Sequence, residues 1–176
     1  MKTEIVNIDA DFPKAPDVKK AARVLRKGGI IAIPTETVYG LAVNAKDKNA
    51  VDRLYAIKKR PSNKPFTIQI SDLTQVKYYI DNITSELKEI LEKFWPGPLT
   101  IIANGKSGKI GLRIPDNKTA LAIIHEAGLP LAVTSANISG TEAVTSAREV
   151  TKTFNGLIDL IVDDGKTTRG VESTIL

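Results

Sequence analysis

The chain has 176 residues, 42% of them hydrophobic, with no cysteine, one histidine and a formal net charge of +5. That is the length of one ordinary domain with enough apolar content for a core. Cysteine-free composition excludes disulfides, thiolate nucleophiles and zinc–thiolate sites, and fits a reducing cytoplasm.

The single His125 excludes a His-rich metal site. The apolar runs are too short to span a bilayer, and the opening "MKTEIVNIDADFPK" has no apolar signal region. Chemistry must fall to hydroxyls, lysines, arginines, carboxylates, backbone amides or a bound hard cation. The positive charge suits a polyanionic partner.

"DFPKAPD" is a Pro-broken lead-in, after which Asp17 is expected to cap a helix through "VKKAARVLRKG". Val18, Ala21, Ala22, Val24 and Leu25 mostly keep helical spacing, and Gly28 stops the run. Strands "IIAI" and "GLAV" follow, then a helix "DKNAVDRLYAIKKR" ended by Pro61, and a strand "FTIQI". Two short helices are expected at "LTQVKYYI" and "SELKEILEKF", the second ended by "WPGP". "LTIIAN" and "IGLRIP" read as a strand pair joined by "GKSG". "KTALAIIHEAG" is a helix, with His125 in its last turn, where the dipole favours a cation. "LPLAVTSA" is a strand, "SAREVTKTF" a helix, "LIDLIVDDG" a strand, and "STIL" begins another. This alternation predicts an α/β (α+β) fold around one mixed, twisted sheet.

Five segments carry polar residues beside these elements. In "PTETVYGL", Thr35, Thr37 and Tyr39 alternate at period two, which predicts one shared face of an extended segment. "KKRPSNKP" puts four cations, Lys58, Lys59, Arg60 and Lys64, into seven residues. Lys58 and Lys59 sit in the last helical turn, where the dipole alone explains them, whereas Arg60 and Lys64 in the turn can hold a triphosphate. In "GLRIP", alternation sets Arg113 opposite Leu112 and Ile114, either exposed or facing a cleft as a carboxylate ligand. "VTSANISG" runs a strand into Thr134, Ser135, Asn137 and Ser139, a phosphate or nucleoside cradle or a self-capping turn. "GKTTRGVESTIL" is a Gly-bracketed loop, either lid or plain surface. Together they describe a cleft that positions an anionic substrate, which suits phosphoryl or nucleotidyl transfer.

The segments "GGIIAIPTETVYGL", "AIKKRPSNKPFTIQI", "FWPGPLTII", "IGLRIP", "VTSANISG" and "GVEST" resemble, in order and spacing, the YrdC family of threonylcarbamoyl-AMP synthases. The resemblance runs from about Val18 to Leu176. It implies a YrdC-like twisted open mixed sheet with flanking helices and a basic concave cleft. It also implies a nucleotidyltransferase that forms threonylcarbamoyl-AMP and pyrophosphate from L-threonine, bicarbonate and ATP. Mg²⁺ would come with ATP rather than on direct protein ligands, and no organic cofactor is implied. Other proteins would then pass the threonylcarbamoyl group to tRNA.

Carried over by motif, Thr35, Thr37, Gln69, Arg113 and Ser173 would bind L-threonine. Arg60, Lys64, Thr134, Ser135, Asn137 and Ser139 would bind ATP, and Arg60 with Lys58 would stabilise the reacting phosphoryl group. Gln69 departs from the family, which often has His there. A late arginine that usually follows the "EST" segment is missing, so one domain over 1–176, cut short at its C-terminal end, is expected. The same basic cleft also fits a second reading, a tRNA or double-stranded RNA binder acting in RNA maturation without catalysis. A third, a domain like that of the hydrogenase-maturation carbamoyltransferases, lacks the zinc-finger and acylphosphatase segments of those longer chains.

Overall fold

The computed structural model describes residues 2–106 and 108–176. In chain order the elements are β1 (Glu4–Asn7), α1 (Ala15–Arg26), β2 (Ile31–Ile33), β3 (Gly40–Asn44), α2 (Lys48–Lys58) and β4 (Thr67–Gln69). A 3-10 turn (Leu73–Tyr78), α3 (Ser85–Phe94), β5 (Leu99–Gly105), β6 (Gly108–Arg113) and α4 (Lys118–Ala127) follow. The chain closes with β7 (Leu131–Ser135), α5 (Ala147–Phe154), β8 (Leu160–Asp163) and β9 (Thr174–Ile175).

The nine strands lie in the order β1-β8-β2-β3-β7-β4-β6-β5-β9. β1, β8 and β2 run parallel, as do β4 with β6 and β5 with β9, while the other neighbours are antiparallel. The expected mixed α/β sheet is therefore observed.

Strand alternation sorts the core into layers. Ile31 and Ile33 of β2, Val133 of β7 and Leu160 and Val162 of β8 pack against Ala21, Ala22 and Leu25 of α1 and Ile123 and Ile124 of α4. The intervening Ala32, Leu41, Val43 and Ile161 face the other way, onto Leu54 of α2 and Val150 and Phe154 of α5. A third cluster fills the space under α3 and the 3-10 turn, with Trp95, Ile101, Leu112 and Ile114.

Several local expectations need correction. Asp17 lies in the first turn of α1 and does not cap it: the cap position is Lys14, which makes no side-chain cap bond, and Pro16 sits at the helix start. That is the place where a missing N–H costs least. "LTQVKYYI" forms a 3-10 turn capped by Asp72, not an α-helix. α2 stops at Lys58, before Pro61, because Lys59 turns left-handed at φ 51°. "LIDLIVDDG" is a strand only from Leu160, since Asp159 instead turns its carboxylate onto the Ile30 N–H at 2.8 Å. The "GKSG" joint includes residue 107, outside the described residues, while the strand pair on either side is the hairpin expected.

The layer against α2 and α5 is the one that a single truncation tests best. Phe154 is wholly buried there beside Tyr39 and Leu54. Phe154→Ala should lower unfolding stability by about 3–5 kcal/mol, read by urea titration. A loss below about 1 kcal/mol would show that this layer is not close-packed.

Candidate active site

The face of the sheet that carries α1 and α4 is left uncovered toward β4 and β6. Register puts Gln69 of β4 beside Arg113 of β6, and Thr67 beside Val133 of β7, with Gly40 opposite Ser135. Cross-strand partners share a face, so these side chains point into one cleft. Gly40 keeps its floor low, because a Cβ there would stand 2.8 Å from Val133 Cγ1.

Arg113 is the cation of this cleft, and only 5% of it is exposed. Its Nε donates to the Gly97 carbonyl at 3.1 Å. That carbonyl is held in place by the "WPGP" turn, whose Gly97 N–H donates to Ile114 O at 2.9 Å. Its Nη2 donates to Thr37 Oγ1 at 3.0 Å and stands 2.7 Å from Glu36 Oε1, a charge contact without hydrogen-bond alignment. Among the described residues, Nη1 has no partner. Arg113 is thus a buried residue of the cleft, not an exposed strand residue.

The Thr-Glu-Thr segment is a bend, not the extended strand expected from its period-two spacing. Thr35 Oγ1 donates to Val38 O at 2.7 Å and receives the Thr37 and Val38 N–H groups at 3.2 and 3.3 Å. The 2.8 Å contact between the two threonine hydroxyls must then run from Thr37 to Thr35. Hydrogen-bond donation runs one way, from Arg113 through Thr37 and Thr35 to the Val38 carbonyl. Thr35 is saturated inside the bend, and Thr37 keeps one lone pair for a ligand. Tyr39 leaves the shared face altogether: its ring packs near Phe154 and its hydroxyl donates to Gly165 O at 2.7 Å. Burial, then the charges of Asp164 and Asp163, hold that phenol protonated well above the usual range.

The cleft has two chambers. The smaller, about 240 Å³, is lined by Thr35, Thr37, Gln69, Arg113, Thr134 and Ser173, among others. The larger, about 600 Å³, is lined by Lys58, Asn137, Ser139 and Thr141, among others. Arg60, Ser135 and Glu172 line both and form their common wall. Arg60 is pinned as Arg113 is, by backbone carbonyls: Nε to Lys64 O at 2.9 Å and Nη2 to Pro65 O at 3.2 Å, over the Phe66 ring.

Lys58 is not the exposed helix-end cation that the dipole argument explains. It is 1% exposed, and its ammonium donates to Ser135 O, to Asn137 O at 2.8 Å and to Asn137 Oδ1 at 3.1 Å. Asn137 in turn receives Ser135 Oγ at 2.7 Å and donates to Thr141 O at 2.5 Å, so its amide shapes the loop more than it faces a ligand. Lys64 lines neither chamber; its carbonyl, rather than its charge, serves the site.

A strap from Gly165 to Ser173 crosses the site between β8 and β9. Thr168 Oγ1 and Arg169 N–H both donate to Glu36 O, at 3.1 and 2.9 Å, and Gly170 N–H to Thr37 O at 3.0 Å. Ser173 Oγ meets Thr100 Oγ1 at 2.8 Å. Sequence reasoning missed Glu172, though it lies inside the quoted "GVEST", and Glu36, inside the quoted "PTETV". A lone carboxylate among hydroxyls gives no spacing signal, and only the folded strap shows what each one meets. No group of three or more His, Asp or Glu side chains that could hold a metal occurs among the described residues. No helix among them is long and apolar enough to cross a membrane.

Burial, and next the Arg60 charge, pull the Lys58 ammonium down from 10.5 to about 8, against Glu172, which pulls it up. Between about pH 8 and 10.5 the unfolded chain holds a proton that the folded chain has lost, so stability gains with pH in that window. The urea stability of the wild type relative to Lys58→Met should therefore rise from pH 8 to 10. A difference that stays flat would mean an ordinary lysine.

The comparisons with known proteins bear on this site. A family model for Sua5, YciO and YrdC, described as telomere recombination, matches residues 23–176. The threonylcarbamoyl-AMP synthase of Bacillus subtilis is 41% identical over 92% of this chain and 50% of its own, and that of Pyrococcus abyssi 39% over 90% and 50%. The chain thus spans about half the length of these two curated relatives. The putative threonylcarbamoyl-AMP synthase of Methanocaldococcus jannaschii is 39% identical over 90% of this chain and 80% of its own. A solved structure of P. abyssi Sua5 complexed with L-threonine superposes with a TM-score of 0.95 at 37% identity, over 98% of this chain and 54% of that one. E. coli YciO gives 0.89 at 27%, over 98% and 89%. On the family match and these identities, the chain belongs to the Sua5/YciO/YrdC family.

Proposed function

We propose that the chain joins L-threonine, bicarbonate and ATP into threonylcarbamoyl-AMP, releasing pyrophosphate. The observation that carries this reading is the two-chambered cleft. A chamber of amino-acid size, with a buried arginine, opens across a shared wall that carries Arg60 into a larger one lined by amide and hydroxyl groups. Relatives named threonylcarbamoyl-AMP synthase, and a Sua5 neighbour with L-threonine bound, support it.

In the small chamber the substrate carboxylate meets Arg113 Nη1, and its amino group meets the free lone pair of Thr37. Gln69 is 4% exposed and its Oε1 has no donor in the protein. A buried carbonyl oxygen left bare costs about 1–3 kcal/mol, which the threonine hydroxyl removes by donating to it. Ser173 closes the chamber from the strap.

The amine, once it has lost a proton, adds to the carbon of CO₂ and releases a proton to solvent, or to bicarbonate with loss of water, and either route gives the carbamate. The resulting carbamate oxygen attacks the α-phosphorus of ATP in the second chamber, the bond to the β-phosphate bridging oxygen breaks, and pyrophosphate leaves. Arg60 on the shared wall is positioned to stabilise the charge that develops at the α-phosphoryl group. The Lys58 ammonium, tied to the Ser135–Asn137 loop, adds a second positive charge behind it. Ser135 and Ser139 line the path of the nucleotide, whereas Thr134, expected there from its motif, stands in the small chamber. Mg²⁺ carried in on ATP would offset part of the triphosphate charge, without a direct protein ligand. The adenylate then passes to proteins that transfer the threonylcarbamoyl group to tRNA, in the cytoplasm.

Pyrophosphate release should require bicarbonate and L-threonine together, with little from L-valine and none without an amino acid. Release that ignores the amino acid would overturn the reading. Arg113→Ala should raise the KM for L-threonine about tenfold to hundredfold and leave that for ATP nearly unchanged, on the scale of one lost charge-assisted hydrogen bond. Gln69→Leu should lower the preference for threonine over valine at least tenfold. An unchanged preference would remove Gln69 from the hydroxyl contact.

A further inference from the structure

The carboxylate of Glu36 is an anomaly. Its side chain is 6% exposed, both oxygens lack a hydrogen-bond donor, and Glu36 does not line the cleft. Its one ion-pair partner among the described residues is the Arg113 guanidinium, which does line it. A buried carboxylate without a donor is expensive unless an opposite charge holds it there. Arg113 is equally dependent, because a cation so deeply buried needs a counter-charge. Each explains the other.

The arrangement has a direction. Nε points to Gly97 O, and Nη2 is shared between Thr37 Oγ1 and Glu36 Oε1. The carboxylate therefore draws one edge of the guanidinium into the protein and leaves Nη1 as the edge presented to the cleft. The same residue receives the strap on its backbone carbonyl, from Thr168 Oγ1 and Arg169 N–H. Clamp and strap meet at one residue.

We infer that Glu36 is the positioning residue of the carboxylate clamp: its buried charge fixes the orientation of Arg113, and its carbonyl registers the strap to that orientation. This rests on the amino-acid site of the proposed function and adds a residue that makes no contact with substrate. Removing the Glu36 charge also removes a repulsion toward a bound carboxylate, which works the other way. Alignment outweighs it, because an amino acid brings its own ammonium to balance its carboxylate, whereas a fork that has turned away cannot be replaced.

The test is calorimetric binding of L-threonine and of ATP to the full chain. Glu36→Gln should weaken L-threonine at least fivefold and change ATP less than twofold. In an Arg113→Lys background, which keeps a cation but no fork, the same substitution should change L-threonine less than twofold. Unchanged or tighter L-threonine binding, an equal loss of ATP binding, or the same weakening in both backgrounds would each overturn the inference.

A urea cycle on Glu36→Ala, Arg113→Ala and the double variant reads the pair without any ligand. The double variant should lose clearly less stability than the two single losses combined, since each single variant leaves a buried charge unpaired. Additive losses would overturn the pair as well. If the wild type binds no L-threonine, the proposed function fails, and the urea cycle alone decides the role of Glu36.

Discussion

Arg113 is a cation where the sheet has almost no water, and much of the site follows from that constraint. A guanidinium stays charged, so burying one is costly unless its N–H groups meet acceptors and its charge meets a counter-charge. The "WPGP" turn supplies a carbonyl, the Thr-Glu-Thr bend supplies a hydroxyl and a carboxylate, and the remaining nitrogen has no partner among the described residues. Gly97 is required at that turn because a Cβ would stand 2.3 Å from Phe94 O. Fixing the ion before the substrate arrives is what makes the cleft an organised site, since little reorientation is left for binding to impose.

The second chamber repeats the device with different parts. Arg60 is held by two carbonyls of the loop that follows α2, and Lys58 by the loop that follows β7. The left-handed turn at Lys59 is what separates them. A non-glycine residue there carries a cost, and it persists where the surroundings fix it. It ends α2 so that Lys58 faces inward, Lys59 outward and Arg60 over the cleft. Three consecutive cations thus acquire three environments: sealed, solvated and shared between chambers.

Elements with a strong period were legible in the sequence. The helices over 48–58 and 118–127 and the strands of the two main core layers follow directly from the spacing of apolar residues. What failed was local. Period-two hydroxyls in "PTETVYGL" looked extended, but three hydrogen bonds into Thr35 Oγ1 close a bend, and no periodicity reports a side chain that bonds to its own backbone. Asp17 looked like a cap, but Pro16 and Lys14 begin the helix earlier. Arg60, Arg113, Gln69 and the "VTSANISG" hydroxyls, which the fold brings to one cleft, could be singled out because charge and hydroxyl clusters beside apolar runs are visible in one dimension. Glu36 and Glu172 were not, because their meaning comes from a strap more than 130 residues further on meeting a bend near the start of the chain.

The shared wall gives the two chambers a chemical logic. A carbamate formed from an amine and CO₂ reverts easily in water, so its capture by an α-phosphorus must be faster than its escape. Two separate sites would lose it on transfer. In the proposed reaction, a small chamber that opens directly onto the larger one, with Arg60, Ser135 and Glu172 common to both, would let the amino acid stay on Arg113 while its newly formed carbamate reached across. The effective concentration of nucleophile is then set by geometry rather than by the solution. The strap supports the same end. Its hydrogen bonds run to the backbone of Glu36 and Thr37, the bend that also holds Arg113, so on the proposed reading a segment that would limit water access is registered to the residues that would hold the substrate.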